Sequence, residues 1–160
     1  KLIEENYPVT QVDFYILNTD SNDSRLRFIC RITDKAIRAQ NHVFINTTNE
    51  KDAHNLNKLL WTFSPGSFIP HVLIDKKPVR PPLEPVIVSL NLDQSNNDET
   101  YQAKNNWDLM INLAPNVPAF FSRYMRVIEV VDSESARKLE GRDRYRFYKD
   151  RGYTLKHHKI

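Results

Sequence analysis

The chain has 160 residues, of which 40% are hydrophobic and 11% aromatic, and its formal net charge is +3. This length and composition indicate one globular domain with its own core, and they exclude a disordered chain. The small net charge argues against a protein that coats nucleic acid without specificity. The sequence has no apolar run of transmembrane length, and its single cysteine, Cys30, cannot form an internal disulfide. We therefore expect a cytoplasmic protein with no membrane partner.

Predicted strands and helices alternate in the first half of the chain. Residues 1–10 are interpreted either as a natural extension or as a cloning remnant. Gln11–Leu17 is rich in β-branched and aromatic residues and predicts a buried strand. Ser24–Gln40 repeats apolar residues at helical spacing. A short strand over His42–Asn46 and a second helix, capped within Thr47–Asn49, follow. This alternation predicts a parallel sheet with right-handed crossovers.

The second predicted helix ends in a segment crowded with large apolar side chains, namely Trp61, Phe63, Phe68 and Ile69. Pro65 and Gly66 break the helix there. Aromatic residues at such a position either pack beneath the sheet or form a surface that binds another protein. For Trp61 and Phe68, here called the aromatic pair, the residues alone leave both interpretations open.

Three further strands are predicted in the second half, over Pro85–Leu90, Trp107–Leu113 and Met125–Val131. The polar stretch 91–106 predicts a surface loop. The chain closes with a predicted helix over Ser135–Gly152 and a tail over residues 154–160. Together these elements predict a single three-layer α/β/α domain over residues 11–153, with a mainly parallel, Rossmann-like sheet.

The last predicted helix carries an unusual polar face. At about 100° per residue, one side collects three cations and an aromatic ring, here called the basic stripe: Lys138, Arg142, Tyr145 and Lys149. Ala136, Leu139 and Phe147 fall on the other side, which we predict to be the core face. The acidic residues of the helix point elsewhere, so the basic stripe suits a partner that is both acidic and apolar. The alternative is a solvated basic face with the tyrosine at its edge.

Motifs for catalysis or cofactor binding are missing from the sequence. It contains no nucleophile elbow, HExxH, CxxC or Walker-type loop. The loop Asn18–Asp23 stands where a dinucleotide fold places its glycine-rich phosphate loop, yet it has no glycine and two carboxylates. We therefore expect no catalytic residue, no metal and no cofactor. A Rossmann-like nucleotide-binding or hydrolytic enzyme is the alternative interpretation.

Several long blocks of residues carry a family resemblance. In chain order they are Asp13–Leu17, Leu59–His71, Leu109–Pro115, Val117–Phe121 and Gly141–Tyr148. Over about residues 12–153 the chain resembles the chi subunit of bacterial DNA polymerase III. The resemblance implies a non-catalytic replication adaptor that contacts DNA mainly indirectly. It also implies two partners: the psi subunit of the clamp-loader complex, and the acidic, Phe-ending C-terminal tail of single-stranded-DNA-binding protein.

The resemblance also implies a role for each candidate surface. The basic stripe would bind the tail peptide, with Arg142 holding the terminal carboxylate in a fork and Tyr145 forming a wall for the terminal Phe. Val130 and Val131, at the end of the last predicted strand, are candidates for the floor of that pocket. The aromatic pair would face psi. A third interpretation, direct DNA binding, rests on the predicted helix that carries Tyr145, Arg146 and Arg151.

Overall fold

The computed structural model describes residues 9–63, 65–66, 68–76, 82–91 and 108–160. Most of residues 1–10 and of the predicted loop 91–106 lie outside these ranges, as does Trp107. The described residues form seven strands: β1 (Gln11–Ile16), β2 (Val43–Thr47), β3 (His71–Ile74), β4 (Val86–Leu90), β5 (Leu109–Asn112), β6 (Arg126–Val131) and β7 (Leu155–Lys159). They also form three α-helices, α1 (Asn22–Arg38), α2 (Glu50–Thr62) and α3 (Ser135–Asp150), and a 3₁₀ turn at Phe121–Arg123.

All seven strands belong to one parallel sheet with the order β3-β4-β2-β5-β6-β1-β7. Alternate residues of each strand enter two separate cores, as the two-residue period of a strand requires. Ile128 and Val130 of β6 pack with α1 and α2, whereas Val127 and Val131 pack with the 3₁₀ segment and α3. The predicted three-layer α/β/α domain with a mainly parallel sheet is therefore confirmed.

The helix ends are fixed by side chains that accept backbone N–H groups. The Ser21 side chain caps α1 by accepting from the N–H of Ser24, and that of Asn49 caps α2 by accepting from the N–H of Asp52. At the start of α3, Glu134 accepts from the first backbone N–H groups of the helix. Gly152 follows the end of α3 with a φ of +81°, a conformation that favours glycine.

Two strands were missed by the sequence analysis, and both lie at edges of the sheet. Residues 155–159, which we expected to be part of a tail, form β7 and pair with β1 from Val12 to Ile16. β3 pairs with β4 at the other edge. An edge strand with one exposed face can consist of polar residues, and charged side chains there discourage pairing with other chains. The sequence Leu-Lys-His-His-Lys of β7 fits that pattern.

The predicted core face of α3 was wrong for two of its three residues; Phe147 is half-buried and packs against the core. Leu139 is 59% exposed and Ala136 is also exposed, whereas Gly141, Arg144 and Tyr148 are buried. The physical reason is a polar contact between helix and sheet that centres on the fully buried Glu129 of β6.

Glu129 accepts three hydrogen bonds. They come from Arg144 Nε at 2.7 Å, Tyr148 Oη at 2.7 Å and Asn112 Nδ2 at 3.0 Å. Burial beside this carboxylate raises the pKa of Tyr148 far above its usual value and keeps its hydroxyl a donor. A helix held by charged groups gives no apolar periodicity by which its inner face can be recognised.

Candidate functional site

A cavity of about 180 Å³ opens between α3 and the β1–β7 edge of the sheet. It is lined by residues of four elements: Phe14 and Ile16 of β1, Val131 of β6, Lys138, Gly141, Arg142 and Tyr145 of α3, and His157 of β7. The lining contains two cations and no carboxylate among the described residues. A second cavity of about 410 Å³ adjoins it, sharing Ile16, Val131 and Lys138 and extending to Lys159 and Ile160. The two cavities form one groove along the helix.

Aromatic rings form one wall of the smaller cavity. The Tyr145 ring contacts Phe14 edge-on, with 5.4 Å between ring centroids, and lies 5.0 Å from the His157 ring. His157 also stacks on Phe14 at 6.4 Å. Edge-on and offset contacts of this kind are the favourable ones between aromatic rings. The half-buried Tyr145 is thus held by β1 and β7 on one side and borders the cavity with the rest of its ring.

Gly141 allows α3 to approach the sheet closely enough to shape this cavity. A Cβ atom built on Gly141 would lie 2.8 Å from Cγ2 and 3.0 Å from Cγ1 of Val131. Atoms that close overlap, so only glycine permits this packing without a shift of the helix or of the valine. The small residue therefore fixes the distance between the two walls that Val131 and α3 provide.

The cations of α3 fall into two groups. Arg137 pairs with Asp132, Arg144 with Glu129 and Arg146 with Asp143. Lys138, Arg142 and Lys149, the cations of the basic stripe, form no ion pair with any described residue and are exposed. Their charge is therefore available to an acidic ligand.

The structure brings three of the four residues of the basic stripe to the cavity. Lys149 lies one turn beyond Tyr145 and is not part of the lining. Val131 lines the cavity as the sequence analysis anticipated, but Val130 was a wrong candidate because it packs on the opposite face of the sheet. Phe14 and His157 were missed. The first belongs to a block that carried the resemblance, and the second lies in the segment expected to be a tail.

The aromatic pair is on the surface at the other edge of the sheet. Trp61, in the last turn of α2, is 49% exposed, and Phe68, just before β3, is 59% exposed. Their ring centroids are 4.7 Å apart, and Trp61 also contacts His71 at 4.8 Å. His71 is buried, and its ring nitrogens bond the carbonyl oxygens of Ile69 and Asn57. The alternative of core packing is therefore wrong for these two side chains, and the histidine has a structural role.

Two of the residues on which direct DNA binding by α3 was predicted, Arg146 and Arg151, make contacts within the protein. Arg151 stacks over the Phe147 ring at 3.5 Å and donates to the Phe147 carbonyl oxygen. Arg146 pairs with Asp143.

A polar cavity of about 270 Å³ lies near the carboxyl ends of the strands, where doubly wound folds bind their ligands. Three guanidinium groups line it, those of Arg25, Arg137 and Arg144. Each is paired with a carboxylate: Arg137 with Asp132, Arg144 with Glu129, and Arg25 with Asp52 at 3.4 Å. Burial is the main cause of the lowered pKa of Arg25. One-to-one pairing leaves little free positive charge here for a phosphate group.

The described residues show neither a metal-ligand cluster nor a membrane-spanning helix. They contain no group of three or more His, Cys, Asp or Glu side chains that could hold a metal ion. In those same ranges, no helix has the length and apolar character needed to cross a bilayer.

Fold and surfaces together define a class of protein: a single parallel α/β domain whose candidate sites are a groove and an aromatic surface. Comparison with known proteins narrows the class. Residues 9–156 match the sequence profile of the family described as DNA polymerase III chi subunit, HolC. The chain belongs to this family of bacterial replication proteins, and the resemblance found in the sequence is confirmed.

Individual relatives agree with this assignment. The chain is 33% identical over 152 residues to DNA polymerase III subunit chi of Pseudomonas aeruginosa, covering 95% of this chain and 98% of the relative. It is 27% identical over 146 residues to DNA polymerase III subunit chi of Escherichia coli (strain K12), covering 89% and 92%. Among solved structures, T4 UvsW superposes with a TM-score of 0.67 at 8% identity, over 94% of this chain and 41% of UvsW. The likeness to UvsW shows the fold alone.

Proposed function

We propose that this protein is a non-catalytic adaptor of the DNA polymerase III holoenzyme. It joins the psi subunit of the clamp-loader complex, through the aromatic pair, to the C-terminal tail of single-stranded-DNA-binding protein, through the groove beside α3. It contacts DNA mainly through these partners. The observation that carries the proposal is the smaller cavity of the groove, which has an aromatic wall and two unpaired cations and no described carboxylate in its lining.

The groove suits an acidic peptide that ends in phenylalanine. A cavity of about 150 Å³ holds a benzene molecule in a protein interior, so a cavity of about 180 Å³ has room for one phenyl ring. Tyr145, Phe14 and Val131 give that ring apolar contacts. Arg142 is placed at the rim to form a forked contact with the terminal carboxylate. Lys138, with Lys149 one turn beyond the cavity, supplies charge for the preceding aspartates.

The aromatic pair supports the second partner by its exposure. Two large rings that contact each other on the surface are typical of the anchor residues at the centre of a protein interface. They also lie at the edge of the sheet opposite to the groove, so the two partners do not compete for the same surface.

Titration of a fluorescent tail peptide tests the groove. We expect Arg142→Ala and Tyr145→Ala to weaken peptide binding. Arg142→Ala should reduce the affinity more than Lys149→Ala, because a forked guanidinium–carboxylate contact is stronger than the contact of a mobile ammonium group. Removing the terminal Phe should cost more than removing one aspartate. Added salt should lower the affinity and then have no further effect, because ionic screening spares the apolar contact of the Phe.

The psi interface is tested separately with Phe68→Ala, which should weaken the complex with psi by about 2 kcal/mol or more if this ring is a central anchor. The matched control is reciprocal: Phe68→Ala should bind the tail peptide normally, and Arg142→Ala should bind psi normally.

Unchanged tail binding in both the Arg142 and Tyr145 variants would mean that the peptide binds elsewhere. A melting temperature raised by nucleotides would favour an enzyme of the Rossmann type instead.

A further inference from the structure

A further cleft is distinct from the smaller cavity beside α3 and from the aromatic pair. It has a volume of about 630 Å³ and lies between α1 and the sheet, on the face opposite to α3. Apolar residues line most of it, among them Phe28, Ile32 and Ile128. Two large apolar side chains remain exposed at its margins, Met125 at 55% and Ile160 at 60%. An apolar cleft with exposed apolar margins is typical of a surface that binds another molecule.

The charges around this cleft are distributed unevenly. Of the five cations of α1, three are paired with carboxylates: Arg25 with Asp52, Arg27 with Asp23 and Arg38 with Asp34. The other two, Arg31 and Lys35, line the cleft and form no ion pair with any described residue. They lie four residues apart and so share one face of the helix.

The remaining charged groups of the cleft are already occupied. Arg126 donates from Nε to the fully buried carboxylate of Asp13 and from Nη2 to the Tyr15 hydroxyl. Asp108 accepts from the backbone N–H of His42 at 2.8 Å. Asp13 neutralises Arg126, and the two cations Arg31 and Lys35 outnumber the one remaining lining carboxylate, Asp108. The net charge of the described lining is therefore positive.

The geometry favours a peptide over nucleic acid. A single-stranded nucleic acid needs aromatic faces on which its bases stack. The Tyr15 ring is stacked against His158, with 4.5 Å between centroids, and it also packs against Phe28. Phe28 is buried and has the guanidinium of Arg31 over its ring at 5.5 Å. Neither ring presents a free face, whereas the cleft offers apolar volume beside two free cations.

We propose that this cleft is an additional binding site for a partner protein, occupied by an acidic peptide segment that carries a large apolar side chain. The apolar side chain enters the cleft between α1 and β6, and the carboxylates of the segment contact Arg31 and Lys35. The site lies across the sheet from the smaller cavity beside α3 and shares no lining residue with it. Ile160, at the margin of the cleft, also borders the larger cavity of the groove.

Selection from a random peptide library displayed on phage tests the proposal. The selecting protein carries Phe68→Ala and Arg142→Ala, so that the aromatic pair and the groove contribute little. Selected peptides are synthesised and titrated against the selecting protein, and against the same protein carrying both Arg31→Glu and Lys35→Glu. We expect peptides that combine acidic and large apolar residues, and a loss of affinity of about tenfold or more on charge reversal.

The matched control reverses two cations on the same helix outside the cleft lining, Arg27→Glu and Arg38→Glu, with the same change in net charge. It should leave peptide affinity within about twofold. Met125→Asp, an exposed change at the margin, should weaken the same peptides and provides a variant independent of α1. All of these positions are exposed or half-exposed, and thermal melting checks that each variant is folded.

Several results would overturn the proposal. The proposal fails if selection yields no peptides, if the selected peptides lack acidic residues, or if their affinity is the same for the cleft variants. Binding of an oligothymidylate that is lost on reversal of Arg31 and Lys35 would identify a nucleic-acid site instead. A concentration-dependent dimer in light scattering, abolished by the same variant, would mean that a second copy of the chain covers the cleft.

Discussion

Gly141→Ala tests how closely α3 lies against the sheet, and with it the shape of the groove. The added Cβ would stand 2.8 Å from Cγ2 of Val131, while ordinary contacts begin at 3.4 Å. The helix or the valine must therefore move by about 0.6 Å. The valine is β-branched and stiff about its first side-chain torsion, and its strand is paired with β1. We expect α3 to move away from β6.

Two opposing terms set the effect on stability. Overpacking of a well-packed contact costs about 1–3 kcal/mol. Replacing glycine by alanine inside a helix gains about 1 kcal/mol. The free energy of unfolding should therefore fall by roughly 0–2 kcal/mol. The groove loses its shape at the same time, so affinity for the tail peptide should fall about tenfold, or about 1.4 kcal/mol.

Urea unfolding and fluorescence anisotropy with the labelled tail peptide measure the two effects. Gly152→Ala is the matched control on the same helix. Its Cβ would meet open space, but its φ of +81° is unfavourable for alanine. That variant should lose about 1 kcal/mol of stability and keep its peptide affinity. If the free energy of unfolding of Gly141→Ala instead rose by the full helix-propensity gain of about 1 kcal/mol, and the variant bound the peptide normally, the close packing of α3 on Val131 would be refuted.

Four further variants test which side chains stabilise the fold. Arg144→Ala leaves the buried Glu129 carboxylate without its cation and should lower the free energy of unfolding in urea by about 3–5 kcal/mol. Tyr148→Phe removes one hydrogen bond to that carboxylate and should lower it by about 1.5–3 kcal/mol. Equal small losses in both variants would contradict the hydrogen-bond network around Glu129. Leu139→Ala should cost less than about 0.5 kcal/mol because the side chain is exposed, and a loss several times larger would restore the core face predicted from the sequence. Burial raises the pKa of the Cys30 thiol from 9.0 to about 12, so the unfolded state loses this proton first and stability should fall as pH rises between these values, at up to about 1.4 kcal/mol per unit. In Cys30→Ala that part of the slope should be missing, and an unchanged slope would mean that the thiol is not buried in the folded protein.

The inner part of the fold was predictable because apolar patterns specify it. The strands β1, β2, β4, β5 and β6 all appear at or near their predicted positions. Central strands of a parallel sheet are buried on both faces and consist of nearly continuous apolar runs. The edge strand β3 is only four residues long. The edge strand β7 is mostly polar and is ordered by its pairing with β1 and by ring contacts of His157 and His158. These contact partners are distant in sequence, so no local pattern predicts the strand.

Three of the four residues of the basic stripe line one cavity, although the premise that selected them was partly wrong. The stripe was placed opposite an apolar face of Ala136, Leu139 and Phe147, and of these only Phe147 packs against the core. What did carry information was the absence of acidic residues beside Lys138, Arg142 and Tyr145. Charge pairing inside a helix is local and can be found from spacing alone. The buried network around Glu129 depends on residues from β5, β6 and α3, and spacing along one helix cannot find it.

The order of the strands is compatible with the proposed adaptor function, because it keeps the two candidate surfaces apart. The aromatic pair lies beside β3, and the groove lies between α3 and β7, at opposite edges of the sheet. Strands in a sheet are about 4.8 Å apart, so the six intervals from β3 to β7 separate the two edges by about 29 Å. Sites this far apart with no shared contacts act additively. A parallel sheet covered on both faces is also rigid, because every central strand is held by hydrogen bonds on both sides. Under the proposed function, binding at one edge would therefore leave the other edge unchanged, and the two proposed partners would be held at a fixed distance.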